Sequence, residues 1–297
     1  MMSATTEIAP GYWRPPSRLA APAAMAFPAV GFLVVFLVIP ALTLLSYSVL
    51  VQSPTGEIGL PLTLNNFQRL LGSPTYRGIL FNTVFIAGCS TVFAILLAYP
   101  LAMTVAYGRP LLSRLTMVAV VAPLVVSVIV RSYGWQLLLG NGPAGVVNFV
   151  LSSVGLPPFV KILNSKWAVV VASVHVYLPL LVLPLAASLG RIPPNLIEAA
   201  RMLGAPSWRA FFGITLPLSY PGLLAGATVV FTLTAGSFIT PQMLGGTDGM
   251  VLGVLLEQQV NTVYDWPMSA AIATLMVAIA LTVHFITHRV MNARPTR

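Results

Sequence analysis

The sequence predicts an all-α polytopic membrane protein with six transmembrane helices. Hydrophobic residues make up 57% of its 297 residues and charged residues only 7%, and the mean hydropathy is +0.91. About 20 consecutive apolar residues cross a bilayer as a helix, and such runs recur along the chain. The predicted spans cover residues 25–50, 80–106, 115–133, 167–189, 212–236 and 266–287.

The first span follows Pro-rich, weakly basic sequence, GYWRPPSRLAAP. Its apolar run is too long for the core of a signal peptide and has no clear small-residue cleavage site. We therefore expect a retained helix. The predicted organisation is an N-terminal tail over residues 1–24, a six-helix domain over 25–288 and a C-terminal tail over 289–297.

The charge distribution predicts the orientation of these spans. The formal net charge is +9, and ten of the fifteen basic residues fall on one side of the six-span arrangement. They are Arg14, Arg18, Arg109, Arg114, Arg191, Arg201, Arg209, Arg289, Arg294 and Arg297. The positive-inside rule then places both termini in the cytoplasm. The basic balance is explained by this orientation, so no nucleic-acid partner is expected.

Several classes of site are disfavoured by what the sequence lacks. Cys89 is the single cysteine, so a disulfide within one chain is impossible. His284 and His288 are four residues apart, but no third metal ligand is near. No G-x-x-x-x-G-K-[ST] motif occurs, so ATP hydrolysis is expected on another polypeptide. The spans hold no acid and no lysine, which disfavours the alternatives of an intramembrane enzyme or an ion-coupled carrier.

The loops between spans also carry local predictions. An apolar stretch over residues 146–154, closed by Gly155 and Pro157, predicts a helix too short to span, lying at the membrane surface. Prolines inside the spans, among them Pro123 and Pro179, each remove a backbone hydrogen bond and tend to kink a helix.

The most informative stretch is EAARMLGAPSWRAFFGITLP, from Glu198 to Pro217. A helix is predicted before Gly204, which suits a left-handed C-terminal cap, and a second helix begins near Pro206. Its apolar face consists of Leu196, Ile197, Ala200 and Leu203. From the residues alone, this helix–turn–helix loop over 190–211 either lies on the membrane or enters a groove on a partner. In the second case Glu198 could pair with a partner arginine.

The spacing within this stretch resembles the cytoplasmic signature of ABC importer permeases. Glu198-Ala199-Ala200, Gly204, Ile214 and Leu216-Pro217 match its positions. The segments at 130–148 and 236–246, and Asp265-Trp266-Pro267, resemble the spermidine/putrescine-type subfamily. The resemblance extends over the chain from about residue 25.

The resemblance implies a type I importer in the bacterial inner membrane. Two permease subunits, here a heterodimer with a homologous second permease, form the pathway. Two cytoplasmic ATPases bind ATP and Mg²⁺, so no cofactor is expected in this chain, and an extracytoplasmic solute-binding protein delivers the substrate. The residues implied to couple to the ATPases are Glu198, Ala199, Ala200, Arg201, Gly204, Arg209, Ile214, Leu216 and Pro217.

The resemblance also implies a polyamine substrate, with opines, other organic amines, phosphonates and iron as alternatives. The candidate pathway residues are Arg131, Tyr133, Trp135, His175, Phe238, Asp265 and Trp266. The alternatives are that the aromatic residues are interfacial anchors, that His175 is a neutral, hydrogen-bonded residue inside the bundle, and that Arg131 reaches the interface.

Overall fold

The computed structural model describes residues 20–142, 145–157 and 161–292. The charges at Glu7, Arg14, Arg18, Arg294 and Arg297, and most of both predicted tails, lie outside these ranges. The helices are α1 Ala20–Leu33, α2 Ile39–Tyr47, α3 Asn65–Gly72, α4 Pro74–Tyr107, α5 Pro110–Val125, α6 Val128–Leu139, α7 Val146–Ser153, α8 Lys166–Leu189, α9 Pro194–Met202, α10 Ser207–Ala210, α11 Leu216–Gly236, α12 Ile239–Leu244, α13 Leu252–Gln258 and α14 Trp266–Asn292.

Three π-helical turns extend the α-helices, and the first two of them join neighbouring helices into longer elements. They are Val34–Val38 between α1 and α2, Phe211–Thr215 between α10 and α11, and Gln259–Val263 after α13. One short hairpin departs from the all-α prediction. Its strands, β1 Val51–Gln52 and β2 Ile58–Gly59, pair antiparallel with Val51 opposite Gly59.

The chain divides into two compact units, residues 1–46 and 47–297. The first unit contains most of the apolar helix Phe27–Tyr47, which is long enough to cross a membrane. None of the side chains described in this helix is buried within the chain. The helix ends three residues before the predicted limit of the first span.

The second unit is built around α8, which packs against α4 and α11. These three helices supply most of the buried apolar core, and α8 is the most deeply buried of them. The largest fully buried core side chains on α8 are Val169, Val170, Leu181, Val182, Leu185 and Leu189. An apolar helix buried on all sides is expected at the centre of a membrane bundle.

Two glycines allow α11 to approach α8 closely. A Cβ atom on Gly222 would lie 2.3 Å from the carbonyl oxygen of Pro184, and one on Gly226 would lie 2.8 Å from Cα of Leu181. Gly222 and Gly226 are four residues apart and therefore face the same side of α11. This is the small-xxx-small arrangement that lets membrane helices pack backbone against backbone.

The third predicted span, 115–133, is not one straight helix. The structure divides it into α5 and α6, which meet at 105°, so the spans number six only if this bent pair counts as one. Val126 and Ser127 adopt extended backbone angles at the break. Pro123 weakens the end of α5 because it cannot donate a backbone hydrogen bond. A hydropathy profile does not detect this break, because the helices on both sides of it are apolar.

The fifth span begins earlier than predicted. Residues Ser207–Gly236 form one continuous helix through the π turn Phe211–Thr215, whereas the sequence predicts a span from residue 212. Pro217 lies two residues after this turn and has no N–H to donate to the carbonyl of Gly213. A widened turn is one way for a helix to continue past such a residue.

The helices of the second unit alternate in direction, so its loops gather at two ends. The loop end carries the α4–α5 turn and residues 190–206, and there the hydroxyl of Tyr107 donates to the carbonyl of Leu189 at 2.7 Å. The hairpin end carries the β-hairpin and the short helices. There the backbone N–H of Asn164 donates to the carbonyl of Leu244 at 2.9 Å, and Lys166 Nζ lies 3.9 Å from the carboxylate of Asp248.

Candidate functional site

The segment 190–211, called loop 190–211 below, contains a helix that is sharply terminated at both ends. Pro194 occupies the first turn of α9, where its missing N–H costs nothing. Gly204 has a φ of +79°, and its N–H donates to the carbonyl of Arg201 while that of Ala205 donates to Ala200. This is the Schellman motif. It agrees with the sequence prediction that Gly204 ends the helix.

The apolar face predicted for α9 is only partly covered. Ile197 and Ala200 are half-buried against the rest of the chain. Leu196 is exposed, however, and Met202 and Leu203 are each 88% exposed. The predicted apolar face is therefore partly covered at Ile197 and Ala200 and exposed at Leu196 and Leu203, and Met202, which the prediction leaves off this face, adds to the exposed apolar surface. The tip of loop 190–211 is an apolar surface.

The charged residues of the loop are also exposed. Glu198, Arg201 and Arg209 are exposed, and Glu198 forms no ion pair with any residue that the structure describes. The Arg209 guanidinium lies 5.4 Å from the Trp208 ring, within reach of a cation–π contact. Glu198 is therefore available to a cation on another molecule.

The second helix predicted for this loop is not a separate element. Pro206 precedes α10 as its cap rather than lying in its first turn, and α10 runs without interruption into the fifth span. The prediction that a second helix begins near Pro206 is confirmed, and this helix continues into the fifth span because nothing between Ser207 and Leu216 stops it. Ile214, Leu216 and Pro217 are half-buried on this continuous element.

A second group of candidate residues lies where α6 packs on α8. The Trp135 indole N–H donates to Nδ1 of His175 at 3.1 Å, and the two rings meet edge to face with centroids 5.6 Å apart. One guanidinium nitrogen of Arg131 lies 3.5 Å from the carbonyl oxygen of Val176. Three of the seven predicted pathway residues are thus brought together. They join the bent third span to the fourth.

The neighbouring side of α6 is attached to α12 by two residues that sequence reasoning missed. The amide of Gln136 donates to the carbonyl of Met243 at 2.6 Å, and the hydroxyls of Ser132 and Thr240 lie 3.4 Å apart. Positions 131, 132, 135 and 136 form a polar stripe with helical spacing inside an apolar segment, and that pattern was the available signal.

The remaining predicted pathway residues lie elsewhere. Tyr133 is 59% exposed, and Phe238 caps the start of α12 with its ring partly exposed. Asp265 accepts from the backbone N–H of Met268 at 3.0 Å, which caps α14, and it pairs with Arg69 at 3.4 Å. The backbone N–H of Trp266 donates to the side chain of Gln52 in the hairpin. Among the described residues, no hydrogen bond or ion pair joins Asp265 or Trp266 to the α6–α8 group.

An apolar groove adjoins the α6–α8 group. Its volume is about 430 Å³, and it is lined by α4, α6 and α8 with Trp135, Trp167 and His175 among the lining residues. Among the described residues there is no cluster of three or more His, Cys, Asp or Glu side chains that could hold a metal ion. The rings of His284 and His288 are 6.4 Å apart on α14.

The chain matches one protein-family model, described as the binding-protein-dependent transport system inner membrane component, over residues 90–297. It is 29% identical over 267 residues to the spermidine/putrescine transport system permease protein PotB of Haemophilus influenzae, covering 89% of this chain and 92% of that protein. It is also 33% identical over 239 residues to the inner membrane ABC transporter permease protein YdcU of Escherichia coli, covering 76% and 75%.

Solved structures agree on the fold. A bacterial ABC transporter that imports the acidic polysaccharide alginate superposes with a TM-score of 0.75 at 19% identity, covering 93% of this chain and 96% of that chain. The MetNI methionine ABC transporter superposes with a TM-score of 0.55 at 21% identity, covering 72% and 93%. The chain therefore belongs to the binding-protein-dependent transport system inner membrane component family, as a multi-pass permease subunit of an ABC importer in the bacterial inner membrane.

Proposed function

We propose that this permease subunit forms half of the translocation pathway for a polyamine such as spermidine or putrescine. The observation that carries the proposal is the similarity to spermidine/putrescine permeases along nearly the whole chain, 89% of it and 97% of the Escherichia coli protein. The second half of the pathway comes from a homologous permease. Together they receive the substrate from an extracytoplasmic solute-binding protein.

The chemistry of the helices bears on how such a substrate passes. The membrane-crossing helices contain no aspartate or glutamate. Moving an unpaired polyvalent cation through a dry passage is very costly. Aromatic faces such as that of Trp135 offer cation–π contacts worth about 0.5–2 kcal/mol each. We infer that the second permease supplies the carboxylates, which favours a heterodimer over two copies of this chain.

The same proposal assigns loop 190–211 to energy coupling. Two ATPases bind ATP and Mg²⁺, and each permease inserts its loop into a groove on one of them. Met202 and Leu203 give the tip an apolar surface to bury there, and Glu198 is available to pair with a cation on the ATPase. The loop end is then cytoplasmic.

A competition assay tests the substrate. The chain is expressed with its ATPase, second permease and binding protein in cells that lack polyamine uptake, and radiolabelled spermidine is supplied. We expect uptake that unlabelled spermidine or putrescine blocks and that an opine, a phosphonate or iron does not. Uptake of one of those compounds instead of spermidine would contradict the polyamine proposal.

One observation favours a second candidate, an anionic solute of the same family such as a phosphonate or an opine. Arg131 is the charged residue inside the helix bundle at the α6–α8 contact, and its Nε is buried with no partner among the described residues. Arg131→Gln distinguishes the candidates. The substitution should lower uptake of an anion severalfold, whereas uptake of a polyamine should stay the same or rise because a repulsive charge is removed.

Coupling is tested by substitutions in loop 190–211. Glu198→Lys reverses the charge offered to the ATPase, and Gly204→Asp places a side chain where φ is +79°. Both should leave the protein inserted in the membrane and abolish uptake. Asn195→Lys is the matched control, since Asn195 is exposed on the same helix outside the motif. Normal transport and normal ATPase co-purification in either loop variant would overturn this role.

A further inference from the structure

Two tyrosines of α4 contact the two places where loop 190–211 joins the helix bundle. Tyr99 and Tyr107 are eight residues apart, about two helical turns, and so lie close to one face of α4. Tyr107 reaches the end of α8, where the loop begins. Tyr99 reaches the start of α11, to which the loop returns. Neither residue belongs to the loop motif or to the candidate pathway group.

The contact of Tyr107 satisfies a carbonyl at the end of α8. Leu189 is the last residue of that helix, and its carbonyl would ordinarily accept from the residue four positions later. That residue is Pro193, which has no N–H. The carbonyl instead accepts from the backbone of Ile192 at 3.0 Å and from the Tyr107 hydroxyl at 2.7 Å. The start of loop 190–211 is thus hydrogen-bonded to α4.

Tyr99 contacts both the π turn and the first turn of α11. Its hydroxyl lies 2.6 Å from the Ser219 hydroxyl, and both residues are buried. Ser219 donates its single proton to the carbonyl of Leu216, so Tyr99 is the donor to Ser219. The Tyr99 ring also meets the edge of Phe211, with centroids 5.1 Å apart. Tyr99 therefore contacts the π turn at its first residue and the helix beyond it.

We propose that Tyr99 and Tyr107 are positioning residues that hold both ends of loop 190–211 against α4. This pair of contacts is called the clamp below. This inference rests on the proposed coupling role of the loop. One contact would let the loop pivot about a single point on α4, whereas two contacts limit its movement to rotation about the line that joins them. A displacement of the loop by an ATPase then carries α4 with it as one body.

Because α4 is long, the clamp connects loop 190–211 with the opposite end of the bundle. The helix runs over 34 residues to the hairpin end, where Asn82 donates to the carbonyl of Asp248 at 3.0 Å and Thr83 accepts from the backbone N–H of Leu252 at 2.8 Å. These contacts attach α4 to the segment that precedes the last span. A loop movement at one end of the bundle is thereby transmitted to the loops at the other end.

The first test measures the ATP hydrolysed per substrate molecule taken up by the assembled transporter in proteoliposomes. Tyr99→Phe and Tyr107→Phe each remove one hydroxyl and keep the ring. We expect each to raise the ratio severalfold, and the double variant to raise it further, with the ATPases still co-purifying. Tyr76→Phe is the matched control, because Tyr76 lies on the same helix near the hairpin end and its hydroxyl forms no hydrogen bond with any described residue.

The second test measures a distance, which a general loss of stability would not change in this way. Spin labels are placed at the exposed positions Asn195 on α9 and Leu97 on α4, after Cys89, the single cysteine, is replaced by alanine. In the wild-type assembly we expect the label–label distance to stay the same with and without ATP. In the double phenylalanine variant it should change with nucleotide.

The outcomes separate the clamp from the proposed function. If the wild-type assembly hydrolyses ATP in step with uptake but the variants keep its ratio and its constant distance, the clamp is wrong and the coupling role stands. If the wild-type chain neither binds the ATPases nor transports, the coupling role fails and the clamp fails with it. If the variant at the buried Tyr99 does not assemble, the ATP-to-substrate ratio of Tyr107→Phe alone tests the clamp, because Tyr107 is partly exposed.

Discussion

At the scale of single residues, Arg131 and Trp135 act on a helix that a proline has already weakened. Pro179 cannot donate to the carbonyl of His175, so α8 loses one hydrogen bond there. Arg131 lies against the carbonyl of the next residue, Val176, and Trp135 donates to the His175 side chain. Neighbouring helices often satisfy backbone groups that a transmembrane proline has freed. We infer that the α6–α8 contact stabilises α8 at the place where this hydrogen bond is missing.

The first prediction concerns the hydrogen bond from Trp135 to His175. Trp135→Phe keeps an aromatic face but removes the donor, which leaves Nδ1 of the partly buried His175 without its partner. The loss of such a bond at a partly buried site costs about 1 kcal/mol, and we expect uptake to fall severalfold while the ranking of competing substrates stays the same. Trp167→Phe is the control on the rim of the same groove. A changed substrate ranking in Trp135→Phe would show that selectivity is determined here.

The second prediction separates two roles for Asp265. The sequence places it in the pathway, whereas in the structure its carboxylate caps α14 and pairs with the partly exposed Arg69. Asparagine caps about as well as aspartate, whereas alanine costs about 0.5–2 kcal/mol, and an exposed ion pair contributes about 0–1 kcal/mol. Asp265→Asn should therefore keep thermal stability and uptake, and Asp265→Ala should lower stability. If Asp265→Asn slows uptake without any loss of stability, its negative charge serves transport.

At the scale of helices, the closest packing in the bundle depends on the absence of side chains. Gly222 and Gly226 bring the backbone of α11 against α8 at Pro184 and Leu181. No hydrophobic driving force holds membrane helices together once they are in lipid, so van der Waals packing and hydrogen bonds must do so. A methyl group at either glycine would have to displace backbone, which is more costly than displacing a flexible side chain.

The third prediction follows from this packing. Gly222→Ala places a Cβ atom 2.3 Å from the Pro184 carbonyl oxygen, so α8 and α11 must separate. Overpacking of this kind costs about 1–3 kcal/mol, and we expect a lower melting temperature of the purified protein. Gly236→Ala on the same helix is the control, because nothing lies within 4 Å of its added Cβ. Equal melting temperatures for the two variants would show that the contact contributes little.

The sequence predicts those helices that consist of a long, continuous run of apolar residues. Five long helices and the short α7 appear where hydropathy and turn residues predict them. The bend between α5 and α6 was not predictable, because extended backbone at Val126 and Ser127 leaves the apolar composition unchanged. The continuity of α10 with α11 was missed because Pro217 suggests a break, whereas the π turn before it lets the helix continue.

The candidate sites were predictable in a similar, partial way. The loop motif gave α9 and its glycine cap, since Gly204 needs a left-handed conformation that few other residues adopt readily. The grouping of Arg131, Trp135 and His175 depends on how α6 packs on α8, which no local pattern specifies. The polar stripe on α6 was a local signal for Ser132 and Gln136, but it does not specify their partners on α12. Tyr99 and Tyr107 were missed because their partners are far away in sequence.

At the scale of the whole molecule, the two ends of the bundle differ in charge. Among the described residues of the second unit, the loop end has six arginines and one acid. The basic residues there are Arg109, Arg114, Arg191, Arg201, Arg209 and Arg289. The hairpin end has its basic residues balanced by Glu57, Asp248, Glu257 and Asp265. Because basic residues accumulate on the cytoplasmic side of membrane proteins, the asymmetry predicts a cytoplasmic loop end.

The last prediction tests this orientation with single cysteines in a Cys89→Ala background. Arg114→Cys and Arg209→Cys at the loop end should be shielded from a membrane-impermeant thiol reagent in cells with an intact inner membrane and should react once it is permeabilised. Asp248→Cys at the hairpin end should react in both conditions, because that side chain is more than half exposed. Arg114 and Arg209 lie on different loops, so each checks the other. Labelling of residue 209 from outside would invert the orientation, and with it the side from which an ATPase could reach Glu198.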